Sequence, residues 1–263
     1  CVHLAGWPCD LDEIISLAEN FNLYVIEDCA QAHGAKYKGK SVGSIGHIGC
    51  WSFCQDKIMT TGGEGGMVTT NDKSMWQRMW AYKDHGKDYG AVYEREHPSG
   101  FRWVHESFGT NWRMLEIQAV IGRIQLKRMQ KWSVKRKKNI RKIWIAAAKC
   151  KGLRVPNIPE NIEHAAYKCY VFVKLAELKK SWNRDRILLE INNMGVPCFS
   201  GSCSEVYLEK AFDGTCLRPK HRLINAKELG ETSLMFLVHP TLTEFEIQKT
   251  CDSIRSVMAR AVS

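Results

Sequence analysis

The sequence predicts an α/β fold with a mostly parallel sheet, followed by a smaller α+β region, and two patterns carry that expectation. The first is a strand–helix–strand succession. Val2–Leu4 reads as a short strand, and Asp10 then opens a helix as its N-cap, with Glu13 placed to complete a capping box. Ile14, Leu17, Ala18 and Phe21 form one apolar stripe, Asn20 and Asn22 end the helix, and Leu23–Ile26 is a continuous apolar run of strand length. Such a unit crosses over right-handedly and pairs its strands in parallel. The second pattern is a change of rhythm. A long helical stretch runs from Met114 toward Cys150, with a break expected near Trp132, and gives way to an alternation of strands and shorter helices.

The remaining elements follow in order. A turn-rich stretch, Gly39–Gly49, leads into a strand at Cys50–Phe53; Lys57 comes next, then the glycine cluster Gly62–Gly66 and a β run Met67–Thr70 closed by Asn71 and Asp72. A helix carrying Met75, Trp76, Met79 and Trp80 on one face stops at Gly86. Residues Lys87–Thr110 are polar, aromatic and interrupted by Pro98 and Gly100, and a loop this long reads as a functional flap or an interface arm. Beyond Leu153 come an alternating strand Tyr167–Leu175, a helix Arg184–Met194 ended by Gly195, a strand Leu234–Val238, and a final helix capped by Thr243 with Glu246.

Composition narrows the class. With 44% hydrophobic and 25% charged residues over 263 positions, the chain can bury a real core, and it has no low-complexity segment or internal repeat. The longest uncharged apolar runs, such as Ser233–Val238, fall far short of the roughly 20 residues of a membrane helix, and the expected location is cytoplasmic. Eleven cysteines, an odd number at irregular spacings without a C-x-x-C pair, read as reduced structural thiols rather than a disulfide framework or a metal site. The net charge of +10 concentrates between Lys127 and Lys151, opposite Ile140, Ile143, Trp144 and Ala147. That is the pattern of a solvated helix face, with attraction of an anionic substrate or a membrane surface as the alternative. No nucleic-acid-binding motif accompanies the charge.

Three short segments carry the chemistry: EDCAQAHGA at Glu27–Ala35, CWSFCQDK at Cys50–Lys57, and TTGGEGG at Thr60–Gly66. In parallel sheets ligands collect at the carboxyl ends of strands, and Asp28 lies at such an end. Each segment alone is weak, since an acid after a strand is often a cap and a glycine cluster usually a turn. Their order and spacing resemble the DegT/StrS-type nucleotide-sugar aminotransferases, a family within the fold-type-I pyridoxal-phosphate enzymes. The resemblance extends along the chain through VHLAG at its start, G-T-N-W-R-M at Gly109–Met114 with the Q-A-x-I-G pattern after it, and H-P-T-L-T at His239–Thr243.

The resemblance implies an incomplete three-layer large domain that binds the cofactor over residues 1–130, a long connecting helix over 131–152, and a small α+β C-terminal domain over 153–263. It implies that Lys57 bonds covalently to pyridoxal 5′-phosphate, Asp28 pairs with the pyridinium nitrogen, and Gln31 lies by the ring or its hydroxyl. It further implies that Ser52 holds the phosphate and Asn111 reaches the phosphate of the neighbouring subunit's cofactor, which makes the expected protein a homodimer with composite sites. A carboxylate against the ring nitrogen keeps it protonated and able to accept electrons. A soft glycine-rich loop after Lys57 suits a lysine that also moves a proton. His33, His85 and His239 are candidate substrate contacts, each equally readable as a structural histidine, with His85 placed to cap the helix before Gly86.

The expected reaction moves an amino group from an amino acid, glutamate foremost, to a keto-sugar carried by a nucleotide, in cell-surface polysaccharide biosynthesis. A cyclitol or other keto substrate, or a non-catalytic paralogue of the same fold, are the alternatives. Ala165–Lys168 and Cys198–Glu205 depart from the family pattern where the sugar pocket is shaped. The family also has a segment before VHLAG, so the resemblance implies an N-terminally truncated chain, inactive by itself.

Overall fold

The computed structural model describes residues 1–100 and 102–262; Phe101, within the loop noted above, and Ser263 lie outside the described residues. The chain forms two compact units, Cys1–Lys131 with Glu160–Ala165, and Trp132–Pro159 with Ala166–Ser263.

In the first unit, helix α1 (Leu11–Asn20) buries Leu11 and Ala18, while Leu17 and Phe21 from the expected stripe stay more than half exposed. The capping box does not form. Asp10 holds the N-cap position, but its carboxylate accepts a 2.8 Å hydrogen bond from the Tyr37 hydroxyl, a partner 27 residues away that no local pattern announces. Asn22 takes a left-handed conformation (φ 53°) and turns the chain. The next strand starts three residues later than the apolar run, as β1 (Ile26–Asp28), and the first strand is reduced to a single parallel bridge between Val2 and Asp28.

A short hairpin, β2 (Lys36–Tyr37) and β3 (Lys40–Ser41), precedes β4 (Ile48–Ser52) and β5 (Gly66–Thr69). The sheet order is β1-β4-β5, with β1 and β4 parallel and β5 antiparallel to β4. The connection between β4 and β5, residues 53–65, holds no helix, and β5 returns as the antiparallel neighbour of β4. Gly49 in β4 sits so close to the preceding loop that a Cβ there would lie 2.5 Å from the Gly43 carbonyl oxygen.

Helix α2 (Lys73–Lys83) is capped by Asp72, whose side chain accepts from the Met75 amide, and ends through His85 and Gly86, both at positive φ. A short helix α3 (Tyr89–Tyr93) lies inside the long loop. Helix α4 (Glu116–Ala148) runs 33 residues without the expected break at Trp132, although the two units divide there. Trp132 is a bulky residue but not a helix breaker, and a change of burial partners needs no kink.

In the second unit, β6 (Leu153–Arg154), β8 (Cys169–Val173), β9 (Cys198–Phe199) and β10 (Ser233–Phe236) form an antiparallel sheet in the order β6-β8-β10-β9. The intervening β7 (Ile162–Glu163) pairs with β2, which carries Glu160–Ala165 into the first unit. Strand β8 alternates buried and half-buried residues along its length, with Cys169, Val171 and Val173 inward. Helices α5 (Arg184–Asn193) and α7 (Glu244–Ala261) pack on this unit's core through Ile187, Ile191, Ile247 and Ile254, all 0–1% exposed, while α6 (Ile224–Thr232) leads into β10. Each such side chain contributes about 1.5–3 kcal/mol. The Thr243–Glu246 capping box of α7 forms as the sequence predicts. All eleven cysteines are free. Among the described residues, no helix is long and apolar enough to cross a membrane.

Candidate active site

Strand register brings the sequence segments together. Asp28 is the Cα partner of Cys50, and Ser52 lies two residues further along β4. Because side chains alternate along a strand, Asp28, Cys50 and Ser52 share one face, at the carboxyl ends of two parallel strands. Asp28 is half-buried, and its Oδ1 accepts from the Ala30 amide at 3.0 Å. Ser52 Oγ accepts from the Cys54 amide at 3.3 Å, which leaves its hydroxyl hydrogen to donate elsewhere. Gln31 presents Oε1 to the Ala5 amide at 2.7 Å, so its NH2 points away from that contact. Burial, and then the Asp28 charge, push the Cys50 thiol above its usual range.

Lys57 follows β4 directly, in a turn closed by its own amide on the Cys54 carbonyl (3.1 Å). Its side chain is only 16% exposed, and Nζ lies 3.7 Å from Asp56 Oδ1. The glycine-rich loop after it is tied down rather than soft. Thr60 Oγ1 and the Thr61 amide both donate to the Phe53 carbonyl, the Thr60 amide donates to Gln125 Oε1 on α4, and the Phe53 amide reaches the Gly65 carbonyl at 2.7 Å.

The opposite face of the sheet holds a polar cluster that the sequence reading passed over. Glu27 is fully buried and accepts four hydrogen bonds: Oε2 from His3 Nε2 (3.0 Å) and the Gly43 amide (2.7 Å), Oε1 from the amides of Ile45 (2.9 Å) and Gly46 (2.6 Å). Burial raises a carboxyl, but these four donors outweigh it and hold Glu27 below the usual carboxylate range. Burial opposes a charged His3, whereas hydrogen bonds with Cys29, Cys9 and Glu27 act in the other direction. The Cys9 amide hydrogen already points at His3 Nδ1 (3.0 Å), and a donor cannot face a donor, so the ring is neutral and carries its proton on Nε2. His3, Glu27 and Cys29 lie close enough together to suggest a metal centre, yet the chain itself occupies the carboxylate and imidazole lone pairs. The one available signal for Glu27 was an acid inside an otherwise apolar strand run.

The three histidines have different surroundings. His33 is 3% exposed, with its ring 5.3 Å from that of Trp51 and 5.9 Å from that of Phe53, on the side of β4 away from Ser52. His85 is exposed at the end of α2 in the left-handed region (φ 62°), the helix-end position that sequence allowed for it. His239 belongs to the second unit, with Nδ1 2.6 Å from Thr241 Oγ1; burial, then Arg136 and Lys168, lower its pKa. Asn111 is exposed and forms an antiparallel backbone bridge with Asp84, at the carboxyl end of α2.

Comparison with known proteins matches the geometry to a family. The DegT/DnrJ/EryC1/StrS aminotransferase family model covers residues 1–255. The chain is 34% identical to GDP-perosamine synthase of Escherichia coli O157:H7 over 97% of its own length, and spans 64% of that protein. It is 26% identical to dTDP-3-amino-3,4,6-trideoxy-alpha-D-glucose transaminase of Streptomyces venezuelae, over 97% of this chain and 62% of that one. Among solved structures, an aminotransferase from Psychrobacter cryohalolentis superposes with a TM-score of 0.97 at 68% identity, covering 99% of this chain and 68% of the other. The chain therefore has the fold of, and belongs to, the DegT/DnrJ/EryC1/StrS aminotransferase family.

Proposed function

We propose that the protein is a pyridoxal-phosphate-dependent aminotransferase that passes an amino group from an amino acid, glutamate foremost, to a keto-sugar carried by a nucleotide. The observation that carries this reading is the shared sheet face of Asp28 and Ser52, with Lys57 in the turn that leaves β4. The donor set fits the group: a carboxylate for the ring nitrogen, a serine hydroxyl free to donate to phosphate, a glutamine NH2 for the ring oxygen, and a shielded amine for the aldehyde. When bound, pyridoxal phosphate supplies an electron sink for removing a proton beside the substrate nitrogen. Asp28 would keep the ring nitrogen protonated. Lys57 would carry the proton at the substrate carbon, with its backbone fixed by the turn and only its four-carbon stem left to move. Of the three histidines, His239 stays a candidate substrate contact, while His33 and His85 are assigned structural roles.

We further infer a cytoplasmic homodimer in which Asn111 serves the partner's site. Support comes from the exposure of the apolar residues around it: Phe108 is 99%, Trp112 69% and Ile117 69% exposed, and apolar groups left open in this way mark association surfaces. A role in cell-surface polysaccharide synthesis follows from the sugar-nucleotide reading. Borohydride reduction of the whole protein loaded with cofactor should fix the label to the peptide containing Lys57, and Lys57→Ala should abolish turnover. Label on another lysine would overturn the assignment. A screen of keto-sugar nucleotides against glutamate then identifies the substrate pair.

A further inference from the structure

Asn111 can serve an oxyanion only if its amide nitrogen, not its oxygen, faces the ligand, and an isolated carboxamide has no preference between the two orientations. In this chain the choice is made by Arg113. The Arg113 Nε–H donates to Asn111 Oδ1 at 3.2 Å, and Arg113 Nη1 lies 3.3 Å from Asp84 Oδ1. A guanidinium is donor-only, so it can meet the carboxamide solely through its oxygen. The Asn111 NH2 is then turned away from Arg113, with both hydrogens free to be offered outward.

The backbone explains why these three residues meet. Asp84 and Asn111 are cross-chain neighbours in an antiparallel bridge, and the His85 amide donates to the Thr110 carbonyl at 3.0 Å. Arg113 lies two residues beyond Asn111, on the same side of an extended segment. The Asp84 side chain is 12% exposed and also has Lys87 at 3.4 Å and Lys83 at 3.9 Å. One carboxylate therefore anchors three cations, and the surplus positive charge lies beside the Asn111 amide, where it favours an anion.

We propose that Arg113, anchored by Asp84, is the positioning residue that presents the Asn111 NH2 to a phosphate group. The proposal rests on the cofactor reading above, and its test separates the two. The whole protein and its Arg113→Met, Arg113→Lys, Asn111→Ala and Arg113→Met/Asn111→Ala variants are titrated with pyridoxal 5′-phosphate and with pyridoxal, which lacks the phosphate. The ratio of the two affinities isolates the phosphate contact. Arg113→Met should lower that ratio on the order of tenfold, the worth of one hydrogen bond to a charged group. Affinity for pyridoxal should not change, Arg113→Lys should restore part of the loss, and the double variant should lose no more than Asn111→Ala alone. An unchanged ratio in Arg113→Met, or additive losses in the double variant, would overturn the proposal.

The Asn111 carboxamide resonances, recorded by 15N NMR without cofactor, give an independent reading. Rotation of the NH2 group about its C–N bond should be slower in the parent protein than in Arg113→Met, because a donor on the oxygen strengthens the partial double bond, and identical spectra would refute the orienting role. A parent protein that binds neither vitamer would sink the cofactor reading, and the carboxamide signal would then decide the Arg113 assignment by itself.

Discussion

Glu27→Gln perturbs the buried cluster on the sheet face opposite Asp28 and Ser52 while keeping side-chain size. The carboxylate serves four donors, two on each oxygen. A glutamine can keep its oxygen on Ile45 and Gly46, but its NH2 then meets the Gly43 amide and His3 Nε2, both of which donate. A tautomer change at His3 gives no relief, because the Cys9 amide already donates to Nδ1. Two donors lose their acceptor at about 1–3 kcal/mol each, and two bonds fall from charge-assisted to neutral strength at about 1 kcal/mol each. Against this gross loss of roughly 4–8 kcal/mol stands the relief of several kcal/mol from no longer burying a charge. The net expectation is a loss of about 3 kcal/mol, or roughly 10 °C in Tm for a unit of this size.

Urea unfolding gives the total, and amide exchange at Gly43, Ile45 and Gly46 localises it. Full protection of those amides in the variant, with a stability loss under about 1 kcal/mol, would refute the cluster's role. The pH dependence is a second check. The folded-state pKa of Glu27 is depressed, so its contribution is complete above the unfolded value of about 4.3 and disappears as pH falls through the lower folded value. The parent protein should therefore lose stability more steeply than Glu27→Gln as pH drops below about 4.

Thr243→Ala removes the α7 capping box and should cost about 1 kcal/mol in the urea midpoint of the second unit, with Thr243→Ser restoring most of it. Gly86→Ala should cost more than about 3 kcal/mol, because φ is +83° and the new Cβ would lie 1.7 Å from the Ser107 carbonyl oxygen. Gly39→Ala, also at positive φ but with open space around it, should cost only about 1 kcal/mol; equal losses in thermal melts of the two variants would contradict the packing argument. The His239 ring should titrate below its usual range of about 6.5 by NMR, and Lys168→Met should move it upward by removing a nearby cation. Since a depressed histidine disfavours proton uptake in the folded state, it stabilises fully above about 6.5 and less as pH falls.

What sequence determined by itself was whatever depends on near neighbours. The α7 capping box, the Gly195 stop of α5, the alternation of β8 and the acid at the end of β1 are local patterns, and each is present. Family resemblance added the residues proposed to hold the cofactor, because the order and spacing of EDCAQAHGA and CWSFCQDK survive in one dimension. Tertiary structure decided the rest. Asp10 forsakes its capping role for a tyrosine 27 positions away, and Ile162 and Glu163 pair with β2 rather than with the sheet they precede. His33 lies behind β4 although it is only five residues from Asp28 in sequence, and Glu27 binds loop amides 16 to 19 residues on. A hydrogen-bonding group takes whichever partner the fold brings within about 3 Å, and that choice involves residues whose spacing carries no period.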